Sequence, residues 1–143
     1  MKIHIINGPN LNLLGRREPE VYGDVTFENY LIQLQKIFTR HTISYYQNNV
    51  EGELINELQG ADGKYDVILL NAGGYTHTSV AIADAIAAIS TPVIEVHISN
   101  IFSREEYRHV SITGRSCAGC ITGFGLDSYK TAIVAAEFMT EKK

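Results

Sequence analysis

The sequence predicts an α/β fold: a flavodoxin-like, three-layer arrangement around a five-stranded parallel sheet in the order 2-1-3-4-5. Two observations carry this. Short apolar or β-branched runs alternate along the chain with segments of helical period, which requires right-handed crossovers and parallel strands. Five such units fit into 143 residues as a single domain, 1–143, large enough for a real core. No internal repeat, linker or low-complexity stretch breaks the pattern.

The elements follow in order. Ile3, Ile5 and Ile6 make Lys2 to Asn7 a first strand, interrupted by His4. From Thr26, a plausible N-cap, Phe27, Tyr30, Leu31, Leu34 and Phe38 fall at helical spacing. Thr42 to Gln47 is β-branched and aromatic and reads as a second strand. Asn48-Asn49 turns the chain into a short, acid-opened helix from Glu51 to Leu58. Tyr65 to Leu70 is apolar throughout, as suits a parallel strand covered on both faces. A glycine-rich turn, residues 71–77, leads to a helix expected to bury Val80, Ala83, Ile86 and Ala87 while Asp84 points elsewhere. Simple capping of that helix by Thr78 is the alternative to a ligand-binding role for the hydroxyls of the turn. Val93 to Ile98 is a fourth strand, 104–108 a short helix, and Cys120 to Thr122 opens a fifth strand. A last helix carries Tyr129, Ala132, Ile133 and Ala136.

Composition narrows the function classes. A formal net charge of −4 gives no electrostatic case for nucleic acid. No apolar run approaches the roughly 20 residues that span a bilayer, and no signal-peptide pattern opens the chain, so a cytoplasmic enzyme or binding protein is expected. Cys117 and Cys120 are spaced C-x-x-C but lead into a strand-like run, and no second pair completes a zinc site. They read as small, semi-buried residues with no redox or metal role.

Residues 7–23, Asn7-Gly8-Pro9-Asn10 through Arg16-Arg17 to Tyr22-Gly23, form a connection much longer than the roughly two to six residues such units need. We read it as a lid carrying reactive side chains. In an open parallel sheet, ligands bind beyond the carboxyl ends of the strands near the switch point. Strand 1 ends there in Asn7-Gly8-Pro9-Asn10, strand 3 in Asn71-Ala72-Gly73-Gly74, and strand 4 in Glu95 to Asn100. Glu95 and His97 share a strand face, so the carboxylate can orient the imidazole and favour its charged form, which makes a general acid. A satisfied core pair is the alternative. His77 stands just before a helix start with Thr76, Thr78 and Ser79, suited to anions or hydroxyl-rich ligands. Arg16 or Arg17 near Tyr22 favours the phenolate. A tyrosinate base on a lid opposite a histidine acid on the sheet is equipment for eliminating water across two carbons.

These segments resemble the type II 3-dehydroquinate dehydratases over essentially the whole length. The matching stretches are NGPNLNLLGRREPEVYG at 7–23, QNNVEGELI at 47–55, NAGGYTHTSVAIADAI at 71–86, EVHISN at 95–100, REEYRHVS at 104–111 and AGCITGFG at 118–125. The resemblance implies dehydration of 3-dehydroquinate to 3-dehydroshikimate by anti elimination through an enolate, in the shikimate route to aromatic compounds. It implies that Tyr22 takes the C2 proton, that Arg17 stabilises the tyrosinate, and that a water near Asn10 helps the enolate. His97, oriented by Glu95, is implied to protonate the departing C1 hydroxyl. Asn71 and the backbone of Ile98 and Ser99 are implied to hold the carboxylate, His77 and Arg108 the ring hydroxyls. Asp84 is implied to reach a neighbouring subunit's site in a dodecamer of four trimers, with no metal and no organic cofactor. Val50, Phe102-Ser103, Cys117 and Cys120 depart from the family's usual residues.

A flavodoxin-like module binding nucleotide, flavin or phosphate is the alternative of a different class. It accounts for the fold and Gly73-Gly74, but neither phosphate-loop pattern is present, and the lid and the Glu95/His97 pair are left unexplained.

Overall fold

The computed structural model describes residues 1–16, 20 and 24–142. Among them, β1 (Lys2–Asn7), β2 (Thr42–Gln47), β3 (Val67–Asn71), β4 (Val93–His97) and β5 (Gly119–Thr122) form one sheet. Its order is β2-β1-β3-β4-β5, with every neighbouring pair parallel, as the alternation of elements predicts. The helices are α1 (Phe27–Ile37), α2 (Glu51–Ala61), α3 (Val80–Ala88) and α4 (Asp127–Glu141). No described helix is long and apolar enough to cross a membrane.

Strand alternation builds two cores. Ile3, Ile5, Val67, Leu69, Ile94 and Val96 face α1 and α4, meeting Phe27, Leu34, Tyr129 and Ile133. The intervening positions, Ile6, Ile68, Leu70 and Val93, face α2 and α3, meeting Leu54, Leu58, Ile82 and Ile86. Each fully buried Leu or Ile contributes about 1.5–3 kcal/mol by leaving water. His4 points to the α2 side, where it stacks on Tyr65 and is held between Ser44 at 2.6 Å and Glu57 at 2.7 Å. That partnering lets a polar ring sit in a central strand.

Local chemistry sets the ends. Thr26 caps α1 by accepting from the Asn29 amide at 3.3 Å. The cap of α3 is Ser79, whose hydroxyl accepts from the Ile82 amide at 2.9 Å, and not Thr78. The buried face of α3 is Ile82, Ala83, Ala85 and Ile86, whereas Val80 is 60% exposed and Ala87 is also exposed. A helix this rich in apolar residues has more than one candidate stripe, and packing against α2 selects among them. The strand expected from Tyr65 begins at Val67, and just before it the Asp66 carboxylate accepts from the Lys2 amide at 2.7 Å. The expected short helix at 104–108 is a 3-10 turn, Glu106–Arg108.

Candidate active site

The carboxyl ends of β1, β3 and β4 meet at a cavity of about 120 Å³. Asn7 and Asn71 are register partners, so the two strands end level and their following turns stack. The stacking is close enough to require glycine: a Cβ on Gly8 would lie 2.6 Å from the Ala72 carbonyl oxygen, and one on Gly73 would lie 3.0 Å from that of Pro9. Asn10 next takes up φ 70°, a left-handed conformation that asparagine tolerates better than most side chains. Its amide donates to Asn49 Oδ1 at 3.0 Å, and the residue lines the cavity.

Behind the cavity, on the α4 side, Tyr129 joins the two strand ends. Its hydroxyl donates to Asn7 Oδ1 at 2.8 Å and accepts from Asn71 Nδ2 at 3.1 Å. Asn71 Oδ1 accepts from the Gly73 amide at 3.2 Å, so both ends of this side chain are fixed where it lines the cavity. Burial pushes the Tyr129 phenol well above its ordinary value, which keeps the donating proton in place.

On the other side of the sheet stands the pair on β4. His97 Nε2 lies 3.0 Å from Glu95 Oε2. The ring N–H is not aligned with that oxygen, so the contact is electrostatic rather than a directed hydrogen bond. Glu95 is fully buried. Burial alone would raise its carboxyl, but His97, Thr113 and Ser111 outweigh burial and hold it at about 2. The Ser111 hydroxyl lies 2.9 and 2.8 Å from the two carboxylate oxygens, Thr113 donates to Oε1, and the Cys120 thiol donates to Oε2 at 3.3 Å. Gly114 closes over the group, leaving no room for a Cβ 3.0 Å from Oε2. The result is a buried anion pressed against an imidazole that lines the cavity.

His77 faces His97 with ring centroids 6.3 Å apart. Burial, helped by His97 and Arg108, lowers the His77 imidazole despite the pull of the Val110 carbonyl. Its Nδ1 sits 2.8 Å from that carbonyl oxygen, which assigns the proton to Nδ1 and leaves Nε2 as an acceptor. Arg108 also lines the cavity and is steered by Glu105, 2.7 Å from its Nε. The exit of β4 is pinned where Gly125 N donates to Ile98 O at 2.9 Å and Thr122 Oγ1 to Ser99 O at 3.0 Å, bringing Ile98 and Ser99 to the cavity wall.

The structure thus gathers Asn10, Asn71, His77 and His97 with Ile98, Ser99 and Arg108 around one cavity, with Glu95 directly behind His97. Asp84 lies exposed on α3, away from that lining. Arg17 and Tyr22 lie outside the described residues. Cys117 is half-buried, but Cys120 is exposed rather than semi-buried. Burial, then Glu95, pushes both thiols up to about 12, so neither is a thiolate near neutrality. Sequence reasoning missed Ser111, Thr113 and Tyr129, and it missed Arg104, which also lines the cavity. Arg104 was legible as the partner of Arg108 four residues on. The other three become visible only once the fold brings distant segments together.

The family model described as Dehydroquinase class II matches residues 1–137. The chain is 49% identical over 142 residues to the 3-dehydroquinate dehydratase of Caldanaerobacter subterraneus subsp. tengcongensis, covering 98% of this chain and 96% of that one. It is 52% identical over 136 residues to the 3-dehydroquinate dehydratase of an Exiguobacterium species, covering 94% and 93%. It superposes on the crystal structure of the type II dehydroquinase from Butyrivibrio crossotus with a TM-score of 0.90 at 45% identity, covering 96% of this chain and 97% of that one.

Proposed function

This chain belongs to the class II dehydroquinases, a family of 3-dehydroquinate dehydratases, and we propose that it converts 3-dehydroquinate to 3-dehydroshikimate by anti elimination of water through an enolate. The observation that supports this reading best is the buried, ionised Glu95 behind His97 on the wall of a cavity that His77, Arg108 and Asn71 share.

Tyr22, as tyrosinate, takes the proton at C2, and the freed electron pair delocalises onto the neighbouring ketone as an enolate. Arg17 stabilises the phenolate and the charge that develops, and a water held by Asn10 hydrogen-bonds the enolate oxygen. The enolate then collapses, C1=C2 forms, and the C1–O bond breaks as His97 gives the departing hydroxyl a proton. Glu95 remains ionised and orients the ring. Passage of the proton from Tyr22 back to His97 restores both groups. The substrate carboxylate sits on Asn71 with the backbone of Ile98 and Ser99. His77 Nε2 and Arg108 take the ring hydroxyls. No metal or organic cofactor is needed on this route.

The chain's own connectivity supports a place for Tyr22 in it. Leu11 and Leu14 line the cavity, and the backbone at Gly15 touches the returning chain at Asp24–Thr26. The connection carrying Arg17 and Tyr22 therefore starts and finishes at the cavity mouth. Half its length, at roughly 3.3–3.6 Å per residue, exceeds the span of a substrate ring. The exposed Asp84 on α3 is available to a neighbouring copy, and we assign it to the adjacent site in a dodecamer of four trimers. Light scattering tests the assembly, and a clean monomer contradicts the Asp84 assignment. The enzyme is placed in the cytoplasm, in the shikimate route to aromatic amino acids.

The deciding experiment follows the near-ultraviolet absorbance of the conjugated enone product on adding 3-dehydroquinate. Wild type is expected to turn over and Tyr22→Phe to be inactive while still folded and able to bind ligand. A Tyr22→Phe variant with near-normal kcat ends the tyrosinate mechanism.

A further inference from the structure

We propose that Glu95, His97 and Cys120 form a site for a thiophilic divalent cation of the Zn2+ type, and that filling it switches the enzyme off. The inhibitory half rests on the reading of His97 as the acid, whereas the binding half does not.

Sheet register brings the three together. Glu95 and His97 are two apart on β4 and share its face. Cys120 is the register partner of Glu95 on β5 and projects to that same face. Sequence spacing alone hides this, because the C-x-x-C pair invites a search for a second cysteine pair, while the actual partners of Cys120 lie on the adjacent strand.

The geometry suits a small tetrahedral cation. Around Zn2+, with bonds of about 2.0–2.1 Å to nitrogen and oxygen and about 2.3 Å to sulfur, neighbouring ligand atoms fall about 3.3–3.6 Å apart. Here His97 Nε2 and Glu95 Oε2 are separated by 3.0 Å and Cys120 Sγ and Glu95 Oε2 by 3.3 Å, and the three ligand atoms all lie within 4.8 Å of one another. The two contacts to Glu95 Oε2 are within a few tenths of an ångström of those values, and Cys120 Sγ and His97 Nε2, inside 4.8 Å of each other, close on an ion placed between them. Among the described residues, no other trio of histidine, cysteine or acidic side chains meets this spacing.

A second observation points to a ligand. His97 is 5% exposed, and its buried Nε2 has no aligned hydrogen-bond partner. An imidazole nitrogen, a carboxylate and a thiol form the mixed set that Zn2+ favours and Mg2+ or Ca2+ do not. Coordination replaces the S–H bond by a metal–sulfur bond, with the thiol proton passing to solvent. Cys120 is exposed at the sheet edge and His97 faces the cavity, so an ion has a route in from either side. Three protein ligands leave the fourth position to water. Once bound, the cation holds Nε2 and Oε2, the two atoms through which Glu95 orients the imidazole.

Cd2+ is the probe, added to intact, chelator-treated enzyme. We expect one ion bound per chain, with a thiolate-to-cadmium charge-transfer band in the ultraviolet. Cys120→Ser should lose the band and weaken binding by more than about tenfold, and Glu95→Gln should weaken binding similarly while keeping the band at saturation. Cys117→Ser should keep both. No band, or a band that survives Cys120→Ser and vanishes in Cys117→Ser, overturns the site. Zn2+ should inhibit wild type reversibly with EDTA, and Cys120→Ser should be less sensitive relative to its own metal-free rate. Binding with the band but without inhibition overturns the switching-off and, with it, the acid role of His97.

Discussion

Ser111 holds its hydroxyl 2.9 and 2.8 Å from the two oxygens of the buried Glu95 carboxylate, and it also accepts from the Gly114 amide at 2.8 Å. A hydrogen bond to a buried charge is worth about 1.5–3 kcal/mol. Ser111→Ala is therefore expected to lower unfolding free energy by that amount and to lower kcat by loosening the carboxylate behind His97. Urea denaturation and steady-state rates on the same preparation check both. A variant with unchanged stability and rate removes Ser111 from the support of Glu95.

Glu95 also sets an acid limit on stability. Its carboxyl sits at about 2 in the folded chain, below the ordinary value of 4.5. A depressed carboxylate contributes stability that is present above the unfolded value and is lost as pH falls through the folded one. The contribution is roughly 3 kcal/mol, lost between about pH 4.5 and pH 2. Thermal melts across that range should fall less steeply for Glu95→Gln than for wild type. Parallel curves would show that Glu95 does not drive the loss.

His97→Ala and Arg17→Ala test the two ends of the proposed proton path. General acid catalysis is typically worth about 10²–10⁴-fold, so His97→Ala should lower kcat within that range. Arg17→Ala should cut kcat strongly and shift the rate's dependence on the base toward higher pH, since the phenolate loses its cation. Near-wild-type rates in either variant remove the assigned role.

Tyr129→Phe deletes one hydroxyl and takes a hydrogen-bond partner from Asn7 Oδ1 and from Asn71 Nδ2 at once. Leaving buried polar groups unsatisfied costs about 1–3 kcal/mol each. The variant should melt lower and, because Asn71 loses an anchor, show a raised KM. A lowered melting temperature with unchanged KM would confine Tyr129 to the core.

The strand order, the convergence of three strand ends and the sharing of one face by Glu95 and His97 were all legible in sequence, because period and alternation are local properties. The face of α3 was legible only in part: Ala83 and Ile86 are buried as expected, Val80 and Ala87 are not. Val80, Ala83, Ile86 and Ala87 form as regular a stripe as the one observed, and only the presence of α2 decides between them. Ser79 takes the cap from Thr78 because the helix starts one residue later. The support of Glu95 was illegible for a different reason. Ser111 and Thr113 come from a segment of irregular turns whose path no periodicity describes. Tyr129 looked like any core aromatic on a helix, and its hydroxyl gained a purpose only when α4 docked under the ends of β1 and β3.

That docking has a consequence for the order in which the protein matures. Asn7 leaves the ribosome 122 positions before Tyr129. A nascent chain that has already assembled its first four strands still lacks the phenol that ties the two asparagines together. Ligand affinity should therefore arrive late in synthesis, after most of the sheet has formed, and a premature stop before α4 would leave a folded-looking intermediate with an unfinished pocket.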